Sequence, residues 1–266
     1  MQIETVRGLV LRETVYGETD KLIDLLTESG IRTVGVRGAR KPGSKYAAVT
    51  QAFTYGEYCL RVTGERRWLD SAVMQSAFLG LRTRLDALAL AAYFSELIRK
   101  TATDQPQPQF LRLFLLCLHH LDRDDLPLPQ IKAIFELRLM TELGMMPNLV
   151  CCGSCMRYLP PVPVLRIAEA DLLCGDCTEP GESDALFVTQ STLRAARHIV
   201  FSEPERLFRF RLKGRSLHQL SQYAERYVRF RLGSTCRALK FYHELTENEA
   251  FASEPLQESE HGPTGE

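Results

Sequence analysis

The stretch RGLVLRETVYGETDKLIDLLTESGIRTVGVRG, residues 7–38, is the part of the sequence that decides the fold prediction. Its apolar residues form three short runs rich in Val, Leu, Ile and Thr, separated by turn residues at Gly17 and Gly30. Runs of this length and composition predict β-strands. Two further runs, FTYGEYCLRV at 53–62 and RRWLDSAV at 66–73, have the same character. Five short strands joined by glycine-containing turns predict a small closed β-barrel of the OB type over residues 1–78.

After about residue 76 the apolar residues recur at helical spacing, so we predict a helical domain over 79–243. One long helix is predicted over 77–100, and a later one is preceded by Pro129 and followed by Gly144, the order typical of helix start and stop. The other predicted helices are FLRLFLLCLHHL (110–121), TQSTLRAARHIVF (189–201) and SLHQLSQYAERYVRFRL (216–232). The fold class is therefore α+β.

A cysteine-rich segment, MMPNLVCCGSCMRYLPPVPVLRIAEADLLCGDC at 145–177, interrupts the helical domain. Cys152 with Cys155 and Cys174 with Cys177 form two C-x2-C pairs separated by eighteen residues, a spacing typical of a zinc ribbon. Four sulfurs leave no open position for water, so we predict a structural Zn²⁺ in an insertion at 147–180. Three alternatives stay open: Cys151 in place of Cys152, a redox-active pair, or unrelated buried thiols.

The charge is distributed unevenly along the chain. The 33 basic and 33 acidic residues cancel, but seven of the acids lie from Glu244 onward, where there is no Lys or Arg, so residues 1–243 carry +7. We therefore expect an anionic partner for the folded part and a disordered acidic tail over 244–266.

Residues 31–45 contain five basic groups and no acid. Pro42 and Gly43 exclude a central strand at 41–46, so we predict an exposed loop there. The Arg and Lys side chains of this segment could contact successive phosphates of a nucleic acid. The aromatic residues that could stack on bases are Tyr46, Phe53, Tyr55 and Trp68. An ordinary solvated loop is the alternative, and the basic segment RLFRFRLKGR at 206–215 fits either a simple amphipathic structure or a second binding surface equally well.

Other signals are missing from the sequence. The longest uninterrupted apolar stretch, ALALAAYF at 87–94, is far shorter than a bilayer span, so we expect a cytoplasmic protein without a membrane partner. The motifs of nucleotide hydrolysis, serine hydrolysis and zinc proteolysis do not occur, so we expect no enzyme activity. The competing functions are a protein-interaction scaffold without a direct DNA role and a metal-dependent nuclease or hydrolase.

Several segments, in order, resemble the bacterial recombination mediator RecO family. They are GLVLRETVYGETDKLIDLLTESG with VRGARKPGSKY, then AAYFSEL, FELRLMTELG, the run Pro147–x–Leu149–x–x–Cys152–x–x–Cys155, and AERYVRFRLGSTCRALKFY, which is similar to the family's last helix. The resemblance spans the chain to about residue 243. It implies an N-terminal OB-fold, a helical domain, and an inserted zinc knuckle. In the family the OB-fold supplies much of the DNA contact, and this role carries over to Arg37, Arg40, Lys41 and Lys45 here.

The resemblance also implies a function and partners. The family binds single- and double-stranded DNA, anneals complementary strands, and acts with RecR and RecF to help RecA replace single-strand-binding protein, whose acidic tail docks on the helical domain. The chain departs from the family at two places in the knuckle, where glycines are usual after the second cysteine and before the third. Met156 and Ala170-Asp171-Leu172 stand there.

Overall fold

A computed structural model describes residues 2–252 apart from 104, 180, 182, 183 and 234. Residues 253–266, which form most of the predicted acidic tail, lie outside the described residues. No helix in the described part of the chain is long and apolar enough to cross a membrane.

Five strands form a closed barrel in the order β1-β2-β3-β5-β4, and β1 pairs with both β2 and β4. The predicted OB-type barrel is confirmed. β1 can pair with both neighbours because it is 15 residues long and has an irregularity between Val10 and Arg12. The barrel closes through a parallel contact between β3 and β5 at Gly35 and Trp68. The strands are β1 (Gln2–Tyr16), β2 (Asp20–Thr27), β3 (Gly30–Val36), β4 (Tyr55–Thr63) and β5 (Arg66–Ser76).

The side chains that alternate inward fill the barrel. Val10, Ile23, Val34, Tyr58 and Leu60 are fully buried there, as their alternation with polar residues predicts. The barrel therefore has a core of its own.

Seven helices follow among the described residues. They are α1 (Leu79–Arg82), α2 (Leu85–Thr101), α3 (Pro108–Arg123), α4 (Leu128–Glu142), α5 (Gln190–Phe201), α6 (Gly214–Leu232) and α7 (Arg237–Ala252). The helix predicted over 77–100 is wrong in its first part, because the chain leaves helical geometry at Arg84, which is extended. The segment AERYVRFRLGSTCRALKFY, which is similar to the family's last helix, is not one continuous helix. Gly233 adopts a left-handed conformation and ends α6, and α7 begins after it.

The first nine residues of the predicted disordered tail, 244–252, belong to α7 in the structure. Leu239 and Leu245 of this helix pack against the helical core, and Tyr242 is buried in it. Apolar residues at helical spacing thus hold the first acidic residues in an ordered helix.

The helical core continues into the interface with the barrel. Phe94 of α2 stacks on Phe135 of α4 with centroids 3.9 Å apart, and both contact Phe114 of α3. Phe53, from the segment before β4, meets Phe114 edge-on at 6.2 Å, and Leu9 of β1 belongs to the same apolar cluster. The barrel and the helices are therefore packed against each other through shared buried side chains.

The cysteine-rich insertion forms a small sheet in the order β6-β8-β7-β9. Its strands are β6 (Asn148–Cys152), β7 (Pro163–Arg166), β8 (Asp171–Cys174) and β9 (Ala185–Phe187), with a 3-10 turn at Gly175–Cys177. Arg197 of α5 fastens this sheet to the helices, because its guanidinium donates to the carbonyl oxygens of Leu149, Val150 and Tyr158.

Candidate nucleic-acid interface and metal centre

The basic loop between β3 and β4 is held in place by the turn between β1 and β2. The Arg40 amide donates to the Thr19 carbonyl at 2.9 Å, and its guanidinium donates to the Glu18 carbonyl at 2.9 Å. Asp20 accepts the Gly38 amide at 2.8 Å. That hydrogen bond is the main cause that lowers the pKa of Asp20, and the charges of Arg37 and Lys41 contribute. Arg40 therefore holds the loop in its conformation, although it is exposed, as Arg37 and Lys41 are.

Two of the loop cations lie over aromatic rings. The Arg37 guanidinium carbon is 4.5 Å from the Trp68 ring centroid, and Lys45 Nζ is 4.9 Å from the centroid of Tyr46. The Tyr46 hydroxyl donates to the Asp70 carbonyl at 2.7 Å, which fixes its ring beside β5. These contacts place positive charge directly beside the rings of Trp68 and Tyr46, which are half-buried. Cations next to accessible aromatic rings are the combination that binds single strands.

A cavity of about 360 Å³ lies at this place on the barrel. Its lining includes Arg37, Tyr46 and Trp68, together with Arg61 and Arg66. Arg61 forms an ion pair with Asp70, whereas Arg66 is exposed at the start of β5. We call Arg37, Tyr46, Arg61, Arg66 and Trp68 together the barrel basic face. The sequence analysis missed Arg61 and Arg66. The pairing of β4 with β5 sets Arg61 opposite Trp68 and so brings Arg61 and Arg66 to the cavity. A prediction of these two residues would have required the correct register between the two strands.

Two of the four proposed stacking residues are elsewhere. Phe53 is 5% exposed and packs between the barrel and α3, so its expected role in base stacking is wrong. Tyr55 packs against the helical core and lines a different cavity, beside α3. Both rings pack in the interface between the barrel and the helices. A single sequence does not indicate which aromatic residues such an interface will bury.

The segment RLFRFRLKGR divides into two sides. Leu207 is buried and Phe208, Phe210 and Leu212 pack on the helical core. The basic residues between them are exposed, namely Arg206, Arg209, Arg211, Lys213 and Arg215. The amphipathic structure is therefore present, and it leaves every cation of the segment on the surface.

The four cysteines of the two C-x2-C pairs come together in the small sheet. The sulfurs of Cys152, Cys155, Cys174 and Cys177 all lie within 4.8 Å of one another. Cys174 Sγ is 3.8 Å from Cys152 Sγ and 3.6 Å from Cys155 Sγ. A tetrahedron with metal–sulfur bonds of about 2.3 Å has sulfur–sulfur edges of about 3.8 Å. The donor set and its size therefore fit a tetrahedral ion such as Zn²⁺.

The local backbone prepares these thiols for a cation. Burial favours the neutral thiol of Cys152, but the amides of Cys155, Ser154 and Cys174 point at its sulfur and lower the pKa to about 6. The neighbouring thiol of Cys177 and burial raise the pKa of Cys174 to about 12. Four thiolates this close repel one another, so they can ionise together only around a positive ion.

Cys151 points away from the cluster. Its thiol lies 3.8 Å from the sulfur of Met156. It is not among the four cysteines whose sulfurs converge. The side-chain alternation along β6 explains this, since adjacent residues of a strand point to opposite faces.

Both positions where the sequence departs from the family's glycines are left-handed. Met156 has φ 60° and Ala170 has φ 59°. The Met156 amide donates to the Cys152 carbonyl at 3.0 Å, and the Asn148 amide donates to the Ala170 carbonyl at 2.7 Å. The chain thus keeps the turns that close the knuckle, at a steric cost of about 1–2 kcal/mol for each side chain with a Cβ.

We expect Met156→Gly and Ala170→Gly each to raise the free energy of unfolding by about 0.5–1 kcal/mol, because glycine removes the Cβ conflict but loses more backbone entropy. Urea unfolding of the metal-loaded protein measures the change. The control is Ala168→Gly, since Ala168 is not left-handed and should lose about 0.5–1 kcal/mol. Equal destabilisation by all three substitutions would contradict the strain.

Two family models match the chain. One, described as "Recombination protein O N terminal", matches residues 1–76, and the other, "Recombination protein O C terminal", matches residues 82–240. The first match covers the barrel, and the second covers α2 to α6 with the cysteine insertion.

Curated relatives agree over nearly the whole length. The chain is 28% identical over 240 residues to the DNA repair protein RecO of Acetivibrio thermocellus, covering 90% of this chain and 95% of that protein. It is 29% identical over 240 residues to that of Bacillus subtilis, covering 90% and 93%. Over 238 residues it is 32% identical to that of Exiguobacterium sibiricum, covering 87% and 94%.

Proposed function

This chain belongs to the RecO family of DNA repair proteins, and from that premise we propose that it binds single-stranded DNA on the barrel basic face. The observation that carries the proposal is the cavity where Arg37 covers Trp68 beside Tyr46. A base can stack on such rings while the surrounding cations neutralise phosphates. Lys41 and Lys45 extend the positive surface along the loop.

We further propose that the protein is a recombination mediator and not an enzyme. Neutralised phosphates reduce the repulsion between complementary strands held near each other, so annealing needs no bond to be made or broken. In this role it would act with RecR and RecF to help load RecA on DNA coated by single-strand-binding protein, whose tail would dock on the helical domain. These partners follow from what the family implies.

The metal in this proposal is Zn²⁺ with a structural role. Its ligands would be Cys152, Cys155, Cys174 and Cys177, whose sulfurs converge. Four sulfur ligands leave no position for a reacting water, so the proposed ion stabilises the knuckle and supplies no hydrolytic chemistry.

The triple substitution Arg37→Ala, Lys41→Ala and Lys45→Ala tests the DNA site. If each cation contacts one phosphate, the slope of log K against log salt for a labelled oligo-dT should flatten by about 2, because each contact with a single strand contributes about 0.7. Fluorescence anisotropy across a salt series measures it. Arg40 is left in place because it holds the turn before β2.

The matched control removes three exposed cations outside the barrel, Arg112, Arg194 and Lys240. This control variant loses the same net charge and should keep the slope of the unmodified protein. If both triple variants flatten the slope equally, the DNA is not bound at the loop. If the unmodified protein fails to bind oligo-dT at low salt, the proposed function is wrong.

A further inference from the structure

A second basic surface lies on the helical domain, far along the sequence from the barrel loop. Residues 206–232 carry eight Lys or Arg and a single acid, Glu225. Residues 206–213 form the first part of this segment, and their basic side chains are exposed, as described above. The rest of the segment is α6. Its basic residues are nearly as dense as those of residues 31–45, which carry five in fifteen positions.

Along α6 the basic residues share one face. Arg215, His218, Arg226 and Arg229 follow one another at intervals of 3, 8 and 3 residues, which returns each to the same side of a helix. The opposite side is buried, through Leu220, Tyr223, Ala224, Tyr227 and Val228. Arg215 and Arg229 are 14 residues apart, or about 21 Å at 1.5 Å per residue. We call these four residues the α6 basic face.

The one acid in the segment does not neutralise this face. Glu225 is 2.8 Å from the buried Lys132 Nζ and 3.0 Å from His243 Nε2, so its charge is directed to α4 and α7. Arg231 also has a structural contact, because its guanidinium donates to the Ala168 carbonyl at 3.0 Å. In the described part of the chain, Arg215, Arg226 and Arg229 have no carboxylate within ion-pair distance.

Arg226 and Arg229 stand between two cavities. One of about 890 Å³ lies between α4, α6 and α7, and it also contacts His218. The other, of about 560 Å³, contains Phe230, which is 50% exposed. Asp86 and Asp124 also line the larger cavity, but neither is within ion-pair distance of Arg226 or Arg229. The face thus combines cations that have no carboxylate partner among the described residues with open space on both sides and an accessible aromatic ring.

We propose that the α6 basic face is a second nucleic-acid site, which takes the phosphodiester backbone of a strand other than the strand on the barrel. A row of cations about 21 Å long suits a polymer with a charge at each unit, and it suits a short acidic peptide less well. The proposal rests on the proposed function and adds to it a place for the partner strand in annealing.

The test uses two short, non-complementary oligo-dT strands, one with a donor dye and one with an acceptor. Energy transfer reports two strands on one protein, and anisotropy of the donor strand alone reports the first site. The helix variant Arg215→Ala, Arg226→Ala and Arg229→Ala should bind the first strand within about twofold of the unmodified protein. For this variant, half-maximal energy transfer should need a concentration of second strand at least about tenfold higher than for the unmodified protein. The slope of log K against log salt for the second strand should be flatter by about 2.

The control variant lacking Arg112, Arg194 and Lys240 should keep both signals, and circular dichroism checks that each variant is folded. If the unmodified protein binds one strand without energy transfer, or the helix variant retains the signal, the second site is wrong while the barrel site stands. Failure of the unmodified protein to bind any strand would instead reject the proposed function. If the helix variant loses only the binding of an oligo-glutamate peptide, the face is a peptide site and the inference is overturned.

Discussion

Substitution of Cys152 by serine is expected to abolish tight metal binding. Cys152 is fully buried, and its sulfur is 3.8 Å from that of Cys174. A hydroxyl is a poor substitute for a thiolate, and the three remaining sulfurs cannot complete the tetrahedron. We expect the metal content to fall from one ion per chain to nearly none, as measured by elemental analysis after dialysis against a weak chelator.

Cys151→Ser is the matched control, because Cys151 is the next residue along the strand but its thiol contacts Met156. This variant should retain its metal. A Cys155→Ser variant should behave like Cys152→Ser. If Cys151→Ser loses the ion and Cys152→Ser keeps it, the ligand set is wrong. If the unmodified protein, purified without chelator, contains no metal, the structural zinc itself is rejected.

The second large effect is expected at Lys132, a buried cation in the centre of the helical domain. Lys132 is 1% exposed, its Nζ is 3.1 Å from the carboxylate of Glu136, and Glu136 is fully buried. Glu136 also accepts the Tyr93 hydroxyl at 2.8 Å. Removal of one partner from such a pair leaves a buried charge without compensation, so Lys132→Met should cost about 3–5 kcal/mol of unfolding free energy. Urea unfolding at pH 8 measures this loss.

The loss should depend on pH. Burial raises the pKa of Glu136 to about 7, against the opposing charge of Lys132. A carboxyl whose folded-state pKa is raised destabilises the fold when ionised, above about pH 7, and this cost disappears as the pH falls toward its unfolded value. Without Lys132 the cost grows, so the difference between Lys132→Met and the unmodified protein should be smaller at pH 5 than at pH 8.

Glu225 changes the pH dependence in the opposite direction, and only at lower pH. Burial would raise its pKa, but the hydrogen bond from His243 and the charge of Lys132 outweigh burial and lower the pKa to about 2. Its contribution is present above its unfolded pKa and is lost as the pH falls toward 2. Measurements between pH 5 and 8 therefore report mainly on Glu136.

The double substitution Lys132→Met with Glu136→Leu is the control for this prediction. It removes both charges of the pair, so it should recover more than half of the loss, although the Tyr93 hydroxyl loses its acceptor. If the double variant is as unstable as Lys132→Met, packing or the lost ion pair between Lys132 and Glu225 explains the effect, and the charge of Glu136 does not.

The sequence alone determined the features that depend on local pattern. Alternating apolar runs predicted the five strands of the barrel, and the spacing of the two C-x2-C pairs predicted which four cysteines would converge. Pro42 and Gly43 predicted the exposed loop. In each case the cause acts within a few residues, through strand periodicity, knuckle geometry or backbone freedom. Residues that are close together in the sequence are therefore enough to predict the feature.

The tertiary structure decided what depends on residues far apart in the chain. It buried Phe53 against Phe114 while leaving Trp68 beside Arg37, although the sequence presents both rings in the same way. It also directed Glu225 of α6 toward Lys132 of α4, so that within the described residues the arginines of α6 have no carboxylate at ion-pair distance. Burial and ion pairing are set by which surfaces pack together, and packing between distant elements cannot be read from local periodicity.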